Sequence, residues 1–129
     1  MKILDSDHCV AILRGQLDFQ ANVSATETLA ITTISLGELT HGAYKSAHPA
    51  KNLARLDALL AVLTVLSFDE GSARHFGQIK AHLEQTGQRL SDLDLQIASV
   101  ALHYQVPLVT HNRRHFERIP QLIVEDWLT

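Results

Sequence analysis

Lys2-Ile3-Leu4-Asp5-Ser6-Asp7 opens the chain with a short apolar strand that runs straight into acid. The same strand-then-polar transition recurs along the sequence. Leu29-Ala-Ile-Thr-Thr-Ile-Ser35 leads to Glu38, and Leu108-Val-Thr110 ends at Asn112. A further acid pair, Asp92 and Asp94, opens a helical run. In an open parallel α/β sheet, ligands sit beyond the carboxyl ends of the strands, so groups placed there can converge on one spot. Converging carboxylates repel and need a counter-ion, for which a hard divalent cation is the usual solution. The reading that follows is metal-dependent chemistry on phosphate.

Working outward, strands alternate with helices almost throughout. Ile3-Leu4, Leu29–Ile34, Val65–Phe68, Pro107–Thr110 and Leu122–Val124 read as strands. Helices are expected from Cys9 to Leu13 with Gly15 as the stop, and from Ser35 to Ser46. Another starts at Pro49, where proline is tolerated, and continues through the amphipathic run Asn52–Leu63. Asp69 caps a long helix that reaches Gln85 and ends at Gly87; residues 91–104 and 113–117 form two more. Residues 16–27 are polar and mixed, with room for a short helix. This alternation predicts α/β architecture: a parallel sheet, right-handed crossovers and helices on both faces.

Composition narrows the class. A chain of 129 residues with 46% hydrophobic content is long enough for one domain with a real core. No apolar run approaches the roughly 18 residues of a membrane helix, and no signal peptide is visible. A single cysteine, Cys9, excludes an intramolecular disulfide framework, and a cytoplasmic setting is expected. Net charge is −3, which is not the balance of a protein that grips nucleic acid over its whole surface. Any such contact is local, and His111-Asn-Arg-Arg-His-Phe-Glu-Arg118 is the candidate, with Arg113 and Arg114 nearest the acids.

Each acid also has a structural explanation. Ser35-Leu-Gly-Glu38 matches a capping box. Asp5 or Asp7 can cap the first helix, Ser91 or (the better candidate) Asp92 the helix after residue 90, and Asn112 the helix at 113. Three details favour chemistry. Asp94 shares a helical stripe with Ile97, Ala98, Ala101 and Leu102 and so faces the core, where an unpaired carboxylate is costly. Asp5 follows its strand directly. Nothing near in sequence offers Asp5, Glu38 or Asp94 a cationic partner. The expected ligands of Mg²⁺ or Mn²⁺ are therefore Asp5, Glu38 and Asp94, with Asn112 holding a metal-bound water, and Arg113 and Arg114 stand beside the site, where guanidinium suits phosphate.

At these residues the sequence resembles the PIN-domain ribonucleases, specifically the VapC-type toxins of bacterial toxin–antitoxin pairs. The segments that carry the resemblance are Ile3–His8, Ile34–Leu39, Leu66–Asp69, Asp92–Ala98, Leu108–Asn112 with Phe116, and Val124–Trp127, all in order. The resemblance implies a single PIN domain over residues 1–129, built as a three-layer α/β/α sandwich with a central, mainly parallel sheet of about five strands. It implies a Mg²⁺- or Mn²⁺-dependent endoribonuclease. Asp5, Glu38 and Asp94 match the family's typical acids, and Asn112 falls where many members carry a fourth aspartate. Asp7 stands where asparagine is common, and Ser6 and Ser35 match small hydroxyl residues near the centre. It implies a VapB-like antitoxin that occludes the site, toxin dimers, and contact with operator DNA through the antitoxin complex.

Other chemistries fit less well. His111 and His115 are spaced as helical zinc ligands can be, but there is no HExxH and no third ligand. Cys9 in an apolar helix reads as a buried structural thiol. Nucleotide-binding loops are absent. Asp5-Ser-Asp7 also resembles the DxD of phosphotransfer enzymes, yet the later lysine those enzymes need is missing. A PIN-like fold kept only for binding is the non-enzymatic alternative, sustained by Asn112.

Overall fold

The computed structural model describes residues 1–128; position 129 of the expected domain lies outside them. Five parallel strands form one sheet: β1 Lys2–Leu4, β2 Leu29–Thr32, β3 Thr64–Leu66, β4 Leu108–Val109 and β5 Val124–Glu125, in the order β3-β2-β1-β4-β5. Around them pack α1 Ser6–Leu13, α2 Thr33–Lys45, α3 Pro49–Leu60, α4 Glu70–Gln85, α5 Asp92–Tyr104 and the short α6 Arg113–Phe116.

Side chains alternate across a strand, and here the alternation feeds two separate cores. Ile3, Ala30 and Leu108 point into one, shared with Leu95, Ile97, Ala98 and Phe116. Their strand neighbours Leu4, Leu29, Ile31 and Val109 point into the other, shared with Cys9, Leu39, Leu56 and Leu59. Both sheet faces are thus covered by helices, which makes the expected α/β/α sandwich. The central strands read as nearly unbroken apolar runs for the same reason.

Local boundaries differ from the sequence reading where a cap decides them. Helix α1 begins at Ser6 rather than Cys9, because the Asp5 side chain accepts from the Ser6 amide at 2.8 Å. Strand β2 stops at Thr32, whose hydroxyl accepts from the Ser35 amide at 3.1 Å and starts α2 at Thr33. The capping box Ser35–Glu38 therefore does not form: Ser35 lies inside the helix it was expected to cap. Strand β3 ends at Leu66, before Phe68 turns its amide toward the Thr33 hydroxyl at 3.4 Å. Ser91, not Asp92, caps α5, and Asp92 instead meets Lys80 at 2.9 Å. Gly15 and Gly87 end α1 and α4 at φ of 71° and 70°, the left-handed conformation that favours glycine at a helix terminus. Residues 16–27 contain one short helical stretch, the 3-10 turn Phe19–Asn22, capped by Asp18.

Phe116 fixes the last polar segment to this frame. Its ring is fully buried and pins α6, and with it Asn112, against the sheet. Phe116→Ala is expected to destabilise the fold by about 3–5 kcal/mol, read from the midpoint of denaturant unfolding; a loss below ~1 kcal/mol would mean that α6 is not anchored by this ring.

Candidate active site

The strand order reverses between β1 and β4, and in doubly wound sheets the crevice for ligands opens at that reversal. Asp5 leaves the carboxyl end of β1 and Thr110 leaves that of β4. The two side chains meet there: the Thr110 hydroxyl donates to Asp5 Oδ2 at 2.8 Å. The same hydroxyl lies 3.3 Å from Asp7 Oδ2 and accepts from the Asn112 amide at 3.1 Å. Thr110 is wholly buried, and the sequence reading missed it. A signal for it does exist in the sequence: it is the first polar residue after an apolar strand, as Asp5 is.

Asp5 is 8% exposed. Burial, then the charge of Asp7, and more weakly that of Asp94, push its carboxyl up to about 6, against hydrogen bonds from Thr110 and Ser6. Asp7 behaves oppositely. Burial favours its neutral form, but hydrogen bonds from His8 and from the His111 amide at 2.9 Å outweigh this and hold it below the ordinary carboxylate range. The two acids are neighbours in space with opposed proton affinities. Buried Cys9 is pushed up to about 12, chiefly by desolvation, and is an inert thiol at neutral pH.

Glu38 projects from α2 and is exposed; its Oε1 accepts from the Ser6 hydroxyl at 2.9 Å, one residue from Asp5. Asp94 stands half-buried in the first turn of α5, at the head of the stripe formed by Ile97, Ala98 and Ala101. The imidazole of His115 stands near it, with Nδ1 3.8 Å from Oδ2. Asn112 occupies the cap position of α6 but makes no side-chain cap bond; its amide instead pairs with His115 Nδ1 at 2.7 Å. Ser35 is buried beneath α2 against Thr32 and is not brought to the acids. Arg113 pairs with Glu117 on the surface at 3.2 Å, and Arg114 is exposed. His111 turns to Asp126 at 3.0 Å while His115 turns to Asn112, so the spacing that resembled a zinc pair brings no shared ligand. Both Asp7 oxygens are engaged by donors, which leaves it unsuited to the acid role of a phosphotransfer DxD.

Among the described residues, no group of three acids or histidines already stands close enough to form a cation cage. None of Asp5, Asp7, Glu38 and Asp94 forms an ion pair with Lys or Arg there either. The donor set is one of hard carboxylate oxygens around a carboxyl whose proton affinity is raised by its acidic neighbours. That fits a small divalent cation held by one or two carboxylates and several waters, and does not fit a thiolate or imidazole metal.

An acid-lined crevice at the switch point of a parallel α/β/α sheet defines the class. Residues 2–122 match the family model for the PIN domain, and the chain belongs to that family. It is similar to Ribonuclease VapC2 of Rickettsia felis, 35% identical, covering 97% of this chain and 96% of the relative. It is also similar to the tRNA(fMet)-specific endonuclease VapC of Salmonella typhimurium, 36% identical, with coverage of 97% and 96%. The fold superposes on the crystal structure of VapBC2 from Rickettsia felis bound to a DNA fragment from their promoter, with a TM-score of 0.91, 34% identity and 98% of each chain covered.

The opposed acids give a pH signature. Asp5 binds its proton more tightly folded than unfolded, so its contribution favours the fold below its ordinary value near 3.8 and is lost as pH rises through about 6. Asp7 has the reverse sign and contributes above its ordinary range, losing that contribution as pH falls. In metal-free protein, Asp5→Asn is expected to raise stability near neutral pH by up to roughly 3 kcal/mol and to change it little near pH 4. Thermal melts across that range check this; a variant less stable than the parent at pH 7.5 would contradict it.

Proposed function

We propose that this PIN-domain protein is a Mg²⁺- or Mn²⁺-dependent endoribonuclease, the toxin of a VapBC-type pair, and that residues 1–129 act as one domain. The observation that carries the reading is Asp5: a buried acid at the switch point, crowded by Asp7 and Asp94 and offered no Lys or Arg partner among the described residues. Asp5, Glu38 and Asp94 are assigned as the metal-holding catalytic residues, with Asn112 holding a bound water. When bound, the cation supplies charge relief, polarises a phosphoryl oxygen and makes a hydroxide accessible near neutral pH.

The chain's own residues have separable tasks. Thr110 and the Ser6 amide hold Asp5 in place, and the Ser6 hydroxyl holds Glu38. Asp7 adds fixed negative charge at the rim. Arg113 and Arg114 contact RNA phosphate beside the centre. The Arg113–Glu117 pair is no obstacle, because an exposed pair at this spacing is worth only about 0.3–0.5 kcal/mol and a phosphate displaces it readily. Ser35 serves inside α2, where its amide donates to the Thr32 hydroxyl that caps the helix carrying Glu38.

The relatives' names direct the choice of substrate and partner. We take initiator transfer RNA as the first RNA to test, and a VapB-like antitoxin as the partner that covers the site. Operator DNA is reached through the antitoxin complex, and the toxin works as a homodimer in the cytoplasm. No described helix is long and apolar enough to cross a membrane.

Asp94→Asn is expected to lower metal-dependent RNA cleavage by more than the roughly 10–100-fold that removing a ligand's supporting partner costs, with an unchanged melting temperature. A folded variant with full activity would remove Asp94 from the site, and no cutting by the parent on any RNA with either metal would favour a binding module. Arg113→Ala with Arg114→Ala is expected to weaken RNA binding and to flatten its salt dependence by about 0.7 in log–log slope for each phosphate no longer neutralised. An unchanged slope would place the RNA elsewhere.

A further inference from the structure

His8 is fully buried beneath the acidic rim, and both of its ring nitrogens are engaged. The Trp127 backbone amide donates to Nε2 at 3.1 Å. A backbone N–H can only donate, so Nε2 carries no proton. The neutral ring then carries its proton on Nδ1, 2.7 Å from Asp7 Oδ1, where it donates. An imidazolium would set its Nε2–H against the Trp127 N–H, and Asp126 Oδ1 at 3.7 Å is too far to accept it.

The segment that supplies the Trp127 amide is itself secured. Asp126, with its side chain 2% exposed, meets His111 Nδ1 through one oxygen at 3.0 Å and accepts the Leu128 amide through the other at 2.9 Å. The His111 amide closes the ring by donating to Asp7 Oδ2. The Trp127 ring stands edge-on to His8 with centroids 6.1 Å apart. The chain end following β5 therefore reaches Asp7 by two routes, through His8 and through His111.

We propose that His8 is a positioning residue of the acidic centre: the C-terminal segment 125–128 sets its tautomer through the Trp127 amide, and the resulting Nδ1–H holds the Asp7 carboxylate beside Asp5 on the shared Thr110 hydroxyl. The inference rests on the cation-binding reading of the centre. Its consequence is that the chain end, remote in sequence from Asp5, is part of the machinery that fixes charge at the site. Asp7 acts on the ligand Asp5 through the Thr110 hydroxyl they share, and partners that orient a ligating group are worth about 10–100-fold in metal affinity.

The test is a double-mutant cycle on the full chain, read by calorimetric Mn²⁺ affinity and by RNA cleavage. His8→Leu and Asp7→Asn are each expected to weaken Mn²⁺ binding by about tenfold, with the double variant no worse than either single one. His8→Asn, whose amide can donate from the position of Nδ1, is expected to recover most of that affinity, and His8→Gln is not. Additive effects, or a His8→Leu variant with parental Mn²⁺ affinity and only a lower melting temperature, would overturn the proposal. If His8→Leu does not fold, the comparison of His8→Asn with His8→Gln decides, and equal Mn²⁺ affinities overturn it. Nitrogen-15 spectra of labelled histidine give a readout independent of metal: a bare Nε2 and a protonated Nδ1 at His8 support the proposal, and the opposite tautomer rejects it. Asp5→Asn is the control. If its Mn²⁺ affinity falls while that of His8→Leu does not, only the positioning role fails; if its affinity is unchanged, the cation reading fails and takes the positioning role with it.

Discussion

The hydrogen bond from the Thr110 hydroxyl to the Asp5 carboxylate joins residues 105 apart in the chain, and the site is organised around it. It closes the crevice between β1 and β4, the one place in this sheet where neighbouring strands send their connections to opposite sides. Because Thr110 is buried and Asp5 nearly so, the bond lies in a low-dielectric setting in which charge is poorly screened. The sheet must hold its register for the two residues to meet: Leu4 pairs with Val109, and each of the two polar residues is the next along.

From that bond follows the electrostatic tension of the site. Asp5 and Asp7 flank a single hydroxyl, which has one proton to share between them. The fold resolves this unequally. Asp7 collects donors from His8 and the His111 amide, and Asp5 is left with raised proton affinity. Glu38 and Asp94 remain at the margins, one resting on the Ser6 hydroxyl and the other near His115. Like charges kept apart in this way are what a divalent cation would draw together.

The architecture was largely legible in the sequence, since it is written in hydrophobic period. Runs such as Leu29–Thr32 and the stripe behind Asp94 announce buried strands and a core-facing helix. Acids at strand ends marked the crevice. What sequence did not reveal was which polar group satisfies which. Ser35 looks like a helix cap beside Glu38, but Thr32 takes that task three residues earlier, because a buried hydroxyl at the strand end reaches the free amide first. Thr110 and His8 drew no attention, since a threonine after a strand and a histidine in an apolar helix are ordinary locally; one partner of each, Asp5 and Trp127, lies more than a hundred residues away. The resemblance to PIN domains singled out the acids, and only the fold showed which groups hydrogen-bond to them.

The central claim is that Asp5 sits in a field of like charge that a divalent cation relieves. Carbon-13 spectra of labelled aspartate, recorded across pH with and without Mg²⁺, test it directly. The predicted result is that Asp5 titrates near 6 in metal-free protein and at distinctly lower pH once Mg²⁺ is present. Titration of Asp5 near 3.8 in both conditions, with no response to Mg²⁺, would contradict it.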